Sequence, residues 1–175
     1  MRVVVNSKQR VFLLLFCAVM AAAWLVLEFL EPHTCTIFTA VQGDTVLFGD
    51  NLDYHEGDLV IGFYPTSAAG YGSVHFGYRT GEGESYQRAV NDQGLAWAVN
   101  RIPTAKLNPH PEKAYAHADD NYFSTITNRA ATVEEAIRLA KDFDFGDELS
   151  VQIHIADARG DAVVISPGSD GEIAF

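Results

Sequence analysis

Positive charge is scarce in this chain, and cysteine is scarcer. Twelve Lys+Arg stand against 23 Asp+Glu in 175 residues, a formal charge of -11 with a pI of about 4.8. A surface this acidic repels polyphosphate, and no run of Lys/Arg interleaved with aromatics is present, which argues against nucleic acid as a partner. The six histidines (His33, His55, His75, His110, His117, His154) form neither an H-E-x-x-H pattern nor a close Cys/His set. Asp119-Asp120 and the acidic stretch from Asp142 to Glu148 lack the spacing of a calcium loop. No metal or other cofactor is therefore expected. Internal repeats and low-complexity tracts are also missing. What is present is 48% apolar and 11% aromatic residues, which excludes disorder and describes one ordinary globular domain.

Three of the twelve basic residues, Arg2, Lys8 and Arg10, precede an uncharged apolar run from Val11 to Leu27 that Glu28 ends. Such a segment reads as an export signal or a short membrane anchor. It only just reaches the roughly 17 residues a helix needs to span a bilayer, and it exceeds the usual 7 to 15 of a signal h-region. Ala21-Ala22-Ala23 offers a small-residue cleavage site, while Phe16 spoils a lipobox at Cys17. By the positive-inside rule the basic end stays in the cytoplasm and the rest of the chain lies outside. The expected division is residues 1–34 as signal, anchor or propeptide and residues 35–175 as the folded domain. The latter carries 9 basic and 21 acidic residues and a single cysteine, Cys35, so an intramolecular disulfide is excluded there.

Beyond Cys35 the chain reads as sheet, helices, sheet. Cys35 to Ala40 and Thr45 to Gly49 are β-rich runs around a Gly43-Asp44 hairpin signal. Further strands are expected over Asp58 to Tyr64, Ser73 to Tyr78, Ser85 to Val90 and Leu95 to Asn100, punctuated by glycines. Glu112 to Asn128 is expected to be helical. A second helix follows Thr132, whose spacing to Glu135 is that of a capping box, with Val133, Ala136, Ile137 and Ala140 on one face. Ser150 to Ala156 and Asp161 to Ser166 then form a second hairpin. This order predicts an α+β fold with helices packed on antiparallel sheet.

Cys35 stands at the start of the first strand. A cleavage between Thr34 and Cys35 would free an α-amino group, which titrates near about 7.7 to 8 and can take the proton of the thiol beside it. Internal Cys35 has no such base.

The segment CTIFTAVQGDTVLFGDNLDY, Cys35 to Tyr54, resembles the opening of the N-terminal-nucleophile hydrolases of the choloylglycine hydrolase and penicillin V acylase family, with their isopenicillin N acyltransferase-like relatives. The resemblance continues through Val90 to Ala96, Thr132 to Ala136 and Ile153 to Asp161. It implies an αββα sandwich and hydrolysis of linear amide C–N bonds, of N-acyl amide or acyl-amino-acid type, through an acyl-enzyme on Cys35 once the leader is removed, autoproteolytically on the family pattern. By the same resemblance Asp53 holds the Cys35 amino group and orients it toward the thiol. Asn100 is the candidate oxyanion donor, with Arg101 competing for the position, because a one-residue slip in a strand exchanges the two faces.

Two departures from the family pattern stand out. Several bile-salt-cleaving members carry Arg after the Phe-Gly of this motif, where this chain has Asp50. An anion there is expected to raise the thiol pKa and to repel carboxylate substrates. Family members also continue beyond the equivalent of Phe175, so the chain is expected to hold only part of the domain, with uncovered sheet edges unless a partner supplies the remainder. The expected partners are a small-molecule amide, the membrane through residues 11–27 where the leader is retained, and further copies of the chain in a homo-oligomer. The rival expectation is a catalytically silent, membrane-anchored or truncated domain that acts as an interaction module.

Overall fold

The computed structural model describes residues 35–52, 57–81, 83–117 and 121–175, together with Met20. Apart from Met20, the expected leader, residues 1–34, lies outside the described residues, as does Asp53. Among the described residues no helix is long and apolar enough to cross a membrane.

Strands β1 (Thr36–Gln42) and β2 (Thr45–Asn51) form the first hairpin, in register from Thr36 opposite Asn51 to Gln42 opposite Thr45. Gly43 turns the chain at φ +58, a conformation that costs glycine nothing. A side chain at Gly49 would collide with the ring of Phe38 across the ladder, so any larger residue there would force that ring to shift.

The main sheet is built from β3 (Asp58–Tyr64), β4 (Ser73–Thr80), β5 (Gly83–Asn91), β6 (Ala96–Lys106), β9 (Glu148–Ala156), β10 (Ala162–Pro167) and β11 (Ile173–Ala174). Their spatial order is β11-β10-β9-β6-β5-β4-β3, antiparallel throughout. Strand alternation divides this sheet into two chemically different faces. One carries Ala89, Trp97, Ile153, Ile155 and Ile165, all buried. Against it pack helices α1 (Tyr122–Arg129) and α2 (Val133–Ala140), which contribute Tyr122, Ile126, Val133, Ala136 and Ala140 to the same core. The buried Trp97 indole donates to Thr127 Oγ1 at 2.8 Å, and Tyr122 Oη donates to the Ala136 carbonyl at 3.1 Å, so both polar tips in this core are satisfied.

The capping box at α2 forms as its spacing predicts, Thr132 Oγ1 accepting from Glu135 N at 3.2 Å while Glu135 Oε2 accepts from Ala131 N at 2.8 Å. The helix expected over Glu112 to Asn128 is shorter. Ala114–Tyr115 is instead a two-residue strand, β7, parallel to β8 (Phe143–Asp144). The helix starts only at Tyr122, where Asn121 Oδ1 accepts from Ser124 N at 2.9 Å. Asn competes with the helical backbone in mid-helix but satisfies an orphan N–H at its start, which is why the element begins there. Strand β6 likewise runs past the expected end at Asn100 to Lys106, with its register shifted between Arg101 and Ala105. Pro103 has no N–H for the ladder and marks the interruption without ending the strand.

The second face of the main sheet holds Phe63, Ile61, Phe76, Arg88, Val90, Ala98, Asn100 and His154. The β1–β2 hairpin lies over part of it: Thr39 Oγ1 is 2.9 Å from His154 Nε2, and the Phe48 ring meets the His154 ring edge-on at 5.4 Å. The outer strand β3 is left uncovered, with Leu59 78% and Phe63 74% exposed. The described part is thus a main sheet with helices on one side and a hairpin layer on the other, an α+β arrangement rich in sheet.

Candidate functional site

Cys35 immediately precedes β1 and is a free, half-buried thiol. Along β1 the residues that share its parity are Ile37 and Thr39, and Thr39 reaches His154 on the main sheet. Parity therefore places Cys35 on the side of the hairpin that faces the main sheet. On β2 the same side carries Phe48 and Asp50, with Asp50 directly opposite Ile37. Cys35 lies two residues from Ile37, roughly 7 Å along the strand.

Asn100 faces this layer from the main sheet. The ladder sets Arg88 opposite Ala98 and Ala98 opposite His154, so Asn100, two residues on, shares their face. Arg101 has the opposite parity and is exposed, so of the two candidate positions Asn100 is the one on the face that carries His154. Asn100 Oδ1 is buried without a hydrogen-bond partner among the described residues. A buried amide oxygen left unpaired is uncommon outside functional or strained positions.

Asp50 is not the isolated anion that the sequence suggests. Arg88 Nε of β5 forms an ion pair with Asp50 Oδ2, and the two side chains are 11% and 10% exposed respectively. Burial pushes the Asp50 carboxyl above its ordinary range, and the Arg88 guanidinium opposes that rise. The charge beside the Cys35 strand is thus a neutral pair shared between two layers. This corrects the expectation of an uncompensated negative charge there. Sequence reasoning missed Arg88 because its partner is set by the approach of two layers. The available signal was one basic residue two places before Val90 in the alternating strand SYQRAV.

His154 is a strand residue, as expected, and sits beneath the hairpin. Burial holds its imidazole below the ordinary histidine pKa, so it is neutral when Thr39 meets it. Between Phe48 and Asp50 on the hairpin and Phe76, Arg88, Val90 and Ala96 on the main sheet lies a cavity of about 360 Å³. A larger cavity of about 470 Å³, containing the Ser73–His75 pair at 2.9 Å, opens on the helix side of the sheet. The sheet separates that pair from the face that carries Asn100 and His154. Neither Cys35 nor Asn100 lines either cavity; the one on the hairpin side is mostly apolar with the buried ion pair at its wall.

No protein family model and no curated protein sequence matches the chain. In structure it is similar to a mutant of the conjugated bile acid hydrolase from Clostridium perfringens, at 14% identity and a TM-score of 0.60, over 81% of this chain and 50% of that one. It is also similar to the penicillin V acylase from Agrobacterium tumefaciens, at 19% identity and a TM-score of 0.52, over 81% of this chain and 48% of that one. At this identity the likeness is one of fold. The chain spans about half the length of the solved structures it matches.

Proposed function

We propose that this chain is part of an N-terminal-nucleophile hydrolase that cleaves linear amide C–N bonds, with Cys35 as its nucleophile. The observation that carries the reading is the position of Cys35, at the edge of a hairpin whose inner side faces Asn100, on a fold shared with two amidohydrolases. In this reading β1–β2 begins the second sheet of an αββα sandwich.

Removal of residues 1–34 leaves Cys35 with a free amine. That amine takes the thiol proton as sulfur attacks the substrate carbonyl, and Asp53 keeps it oriented toward the sulfur. The oxyanion that forms accepts a hydrogen bond from the Asn100 amide N–H. Collapse breaks the C–N bond, and the leaving amine takes the proton from the α-ammonium. Water then attacks the thioester, with the α-amine again as base, releasing the acid and restoring the thiol. The substrate class is N-acyl amides or acyl amino acids, and the site of action is outside the cytoplasm, the domain being exported or held by residues 11–27.

A second reading has its own support. The uncovered apolar residues of β3 fit an interaction module that stays anchored and catalyses nothing. A screen of N-acyl amides against chain that begins at Cys35, with Cys35→Ala as control, separates the two. The hydrolase reading expects release of free amine from at least one amide and a covalent acyl adduct on Cys35 in acid-quenched protein. Absence of both across the screen favours the silent module.

A further inference from the structure

The cavity between the hairpin and the main sheet has an unusual wall. Phe48, Phe76, Val90 and Ala96 make most of it apolar, and Asp50 with Arg88 adds one buried ion pair. Its volume of about 360 Å³ falls within the range of small-ligand sites. It shares with Cys35 the inner side of the hairpin, since Asp50 on its wall pairs with Ile37, two residues from the thiol. Phe76 and Val90 are 39% and 37% exposed, so the cavity has an open side through which a chain can enter.

We propose that this cavity is the acyl pocket of the Cys35 site and that the Asp50–Arg88 pair makes it select uncharged acyl groups. The proposal rests on the hydrolase reading above for its link to Cys35. A lone buried arginine in an apolar pocket recruits carboxylates, and a lone buried aspartate recruits ammonium groups. Here each charge neutralises the other, while Asp50 Oδ1 and Arg88 Nη2 are buried without a hydrogen-bond partner among the described residues and can meet a neutral amide. A ligand carboxylate entering the pocket gives up its water and meets Asp50 beside Arg88; a ligand ammonium meets Arg88 beside Asp50. Neither ion recovers its hydration, whereas an uncharged chain gains contact with Phe48, Phe76 and Val90 and loses none. The ligand class is therefore a medium-length aliphatic acyl group without a terminal charge.

The test is direct binding of octanamide, octanoate and octylammonium to the full chain by NMR titration. Octanamide is expected to bind about tenfold or more tightly than either ion. Asp50→Asn, which leaves Arg88 without its counter-charge, is expected to improve octanoate binding by about tenfold and leave octanamide within about threefold. Phe76→Trp, at a position exposed enough to spare the fold, is expected to weaken octanamide by about tenfold by filling the cavity. Should Asp50→Asn fail to fold, Phe76→Trp and the order of the three probes on the unaltered chain decide the matter. Equal binding of an ion and the amide, or no effect of Phe76→Trp, overturns the proposal, as does a folded Asp50→Asn with no gain for octanoate. None of these measurements requires catalysis. Selective binding without amide cleavage would refute the hydrolase reading and leave the pocket standing, and cleavage without charge selection would do the reverse.

Discussion

Arg88 of the main sheet and Asp50 of the first hairpin meet as an ion pair that is about nine-tenths buried, and they join the two layers beside the strand that begins at Cys35. Little of either side chain is exposed to solvent. Arg88→Ala should therefore strand a buried carboxylate and cost about 3 to 5 kcal/mol. The double replacement Asp50→Leu with Arg88→Met should recover most of that loss, because an apolar pair of similar volume removes both desolvation penalties. Urea unfolding of the wild type, the single variant and the double variant measures the difference.

A second link between hairpin and sheet is the neutral His154 beneath Thr39 and Phe48. Its folded pKa is lowered by burial, so the unfolded chain binds the proton more readily than the folded one. Stability contributed in this way is complete above the unfolded value near 6.5 and is lost as pH falls below it toward the folded value. His75 and His117 are lowered by the same cause and add to the slope. Chemical denaturation between pH 7 and about 5 should show falling stability, with a smaller fall in His154→Gln.

On the opposite face, Thr127→Val tests the helix-side core. It removes the acceptor for the buried Trp97 N–H and should cost about 1 to 3 kcal/mol. The substitution lies across the sheet from Asn100 and His154, so any amide hydrolysis per folded molecule should be unchanged. Thermal unfolding combined with turnover corrected for folded fraction separates the two effects.

Much of this architecture could be read from the sequence. The hairpin signal at Gly43-Asp44, the alternating strands and the Thr132–Glu135 capping box are local, and each formed where its spacing placed it. What was not legible depends on distant partners. Glu112 to His117 looks helical until Ala114–Tyr115 meets Phe143–Asp144 alongside. Which face Asn100 and Arg101 each take needed the ladder with β9, because parity alone cannot name a face. Asp50 looked like a free anion because nothing near it in sequence announces Arg88. Asp53, proposed to orient the Cys35 amine, lies outside the described residues.

If Asn100 donates to the oxyanion, Asn100→Ala should lower kcat by about 100- to 1,000-fold, or about 3 to 4 kcal/mol of transition-state stabilisation, with a smaller change in KM. Arg101→Ala, on the opposite face, should leave kcat within about twofold. Steady-state kinetics on an amide identified by the screen gives both values.

The central claim is that Cys35 becomes the first residue of an active chain, and the intact mass with N-terminal sequence of the purified product tests it most directly. The account predicts a chain that begins at Cys35 and loses amide turnover when Cys35 is replaced by Ala. A mature product that retains Met1, or that begins near Trp24, would contradict it, because the Cys35 nitrogen would then be locked in a peptide bond and unable to serve as a base.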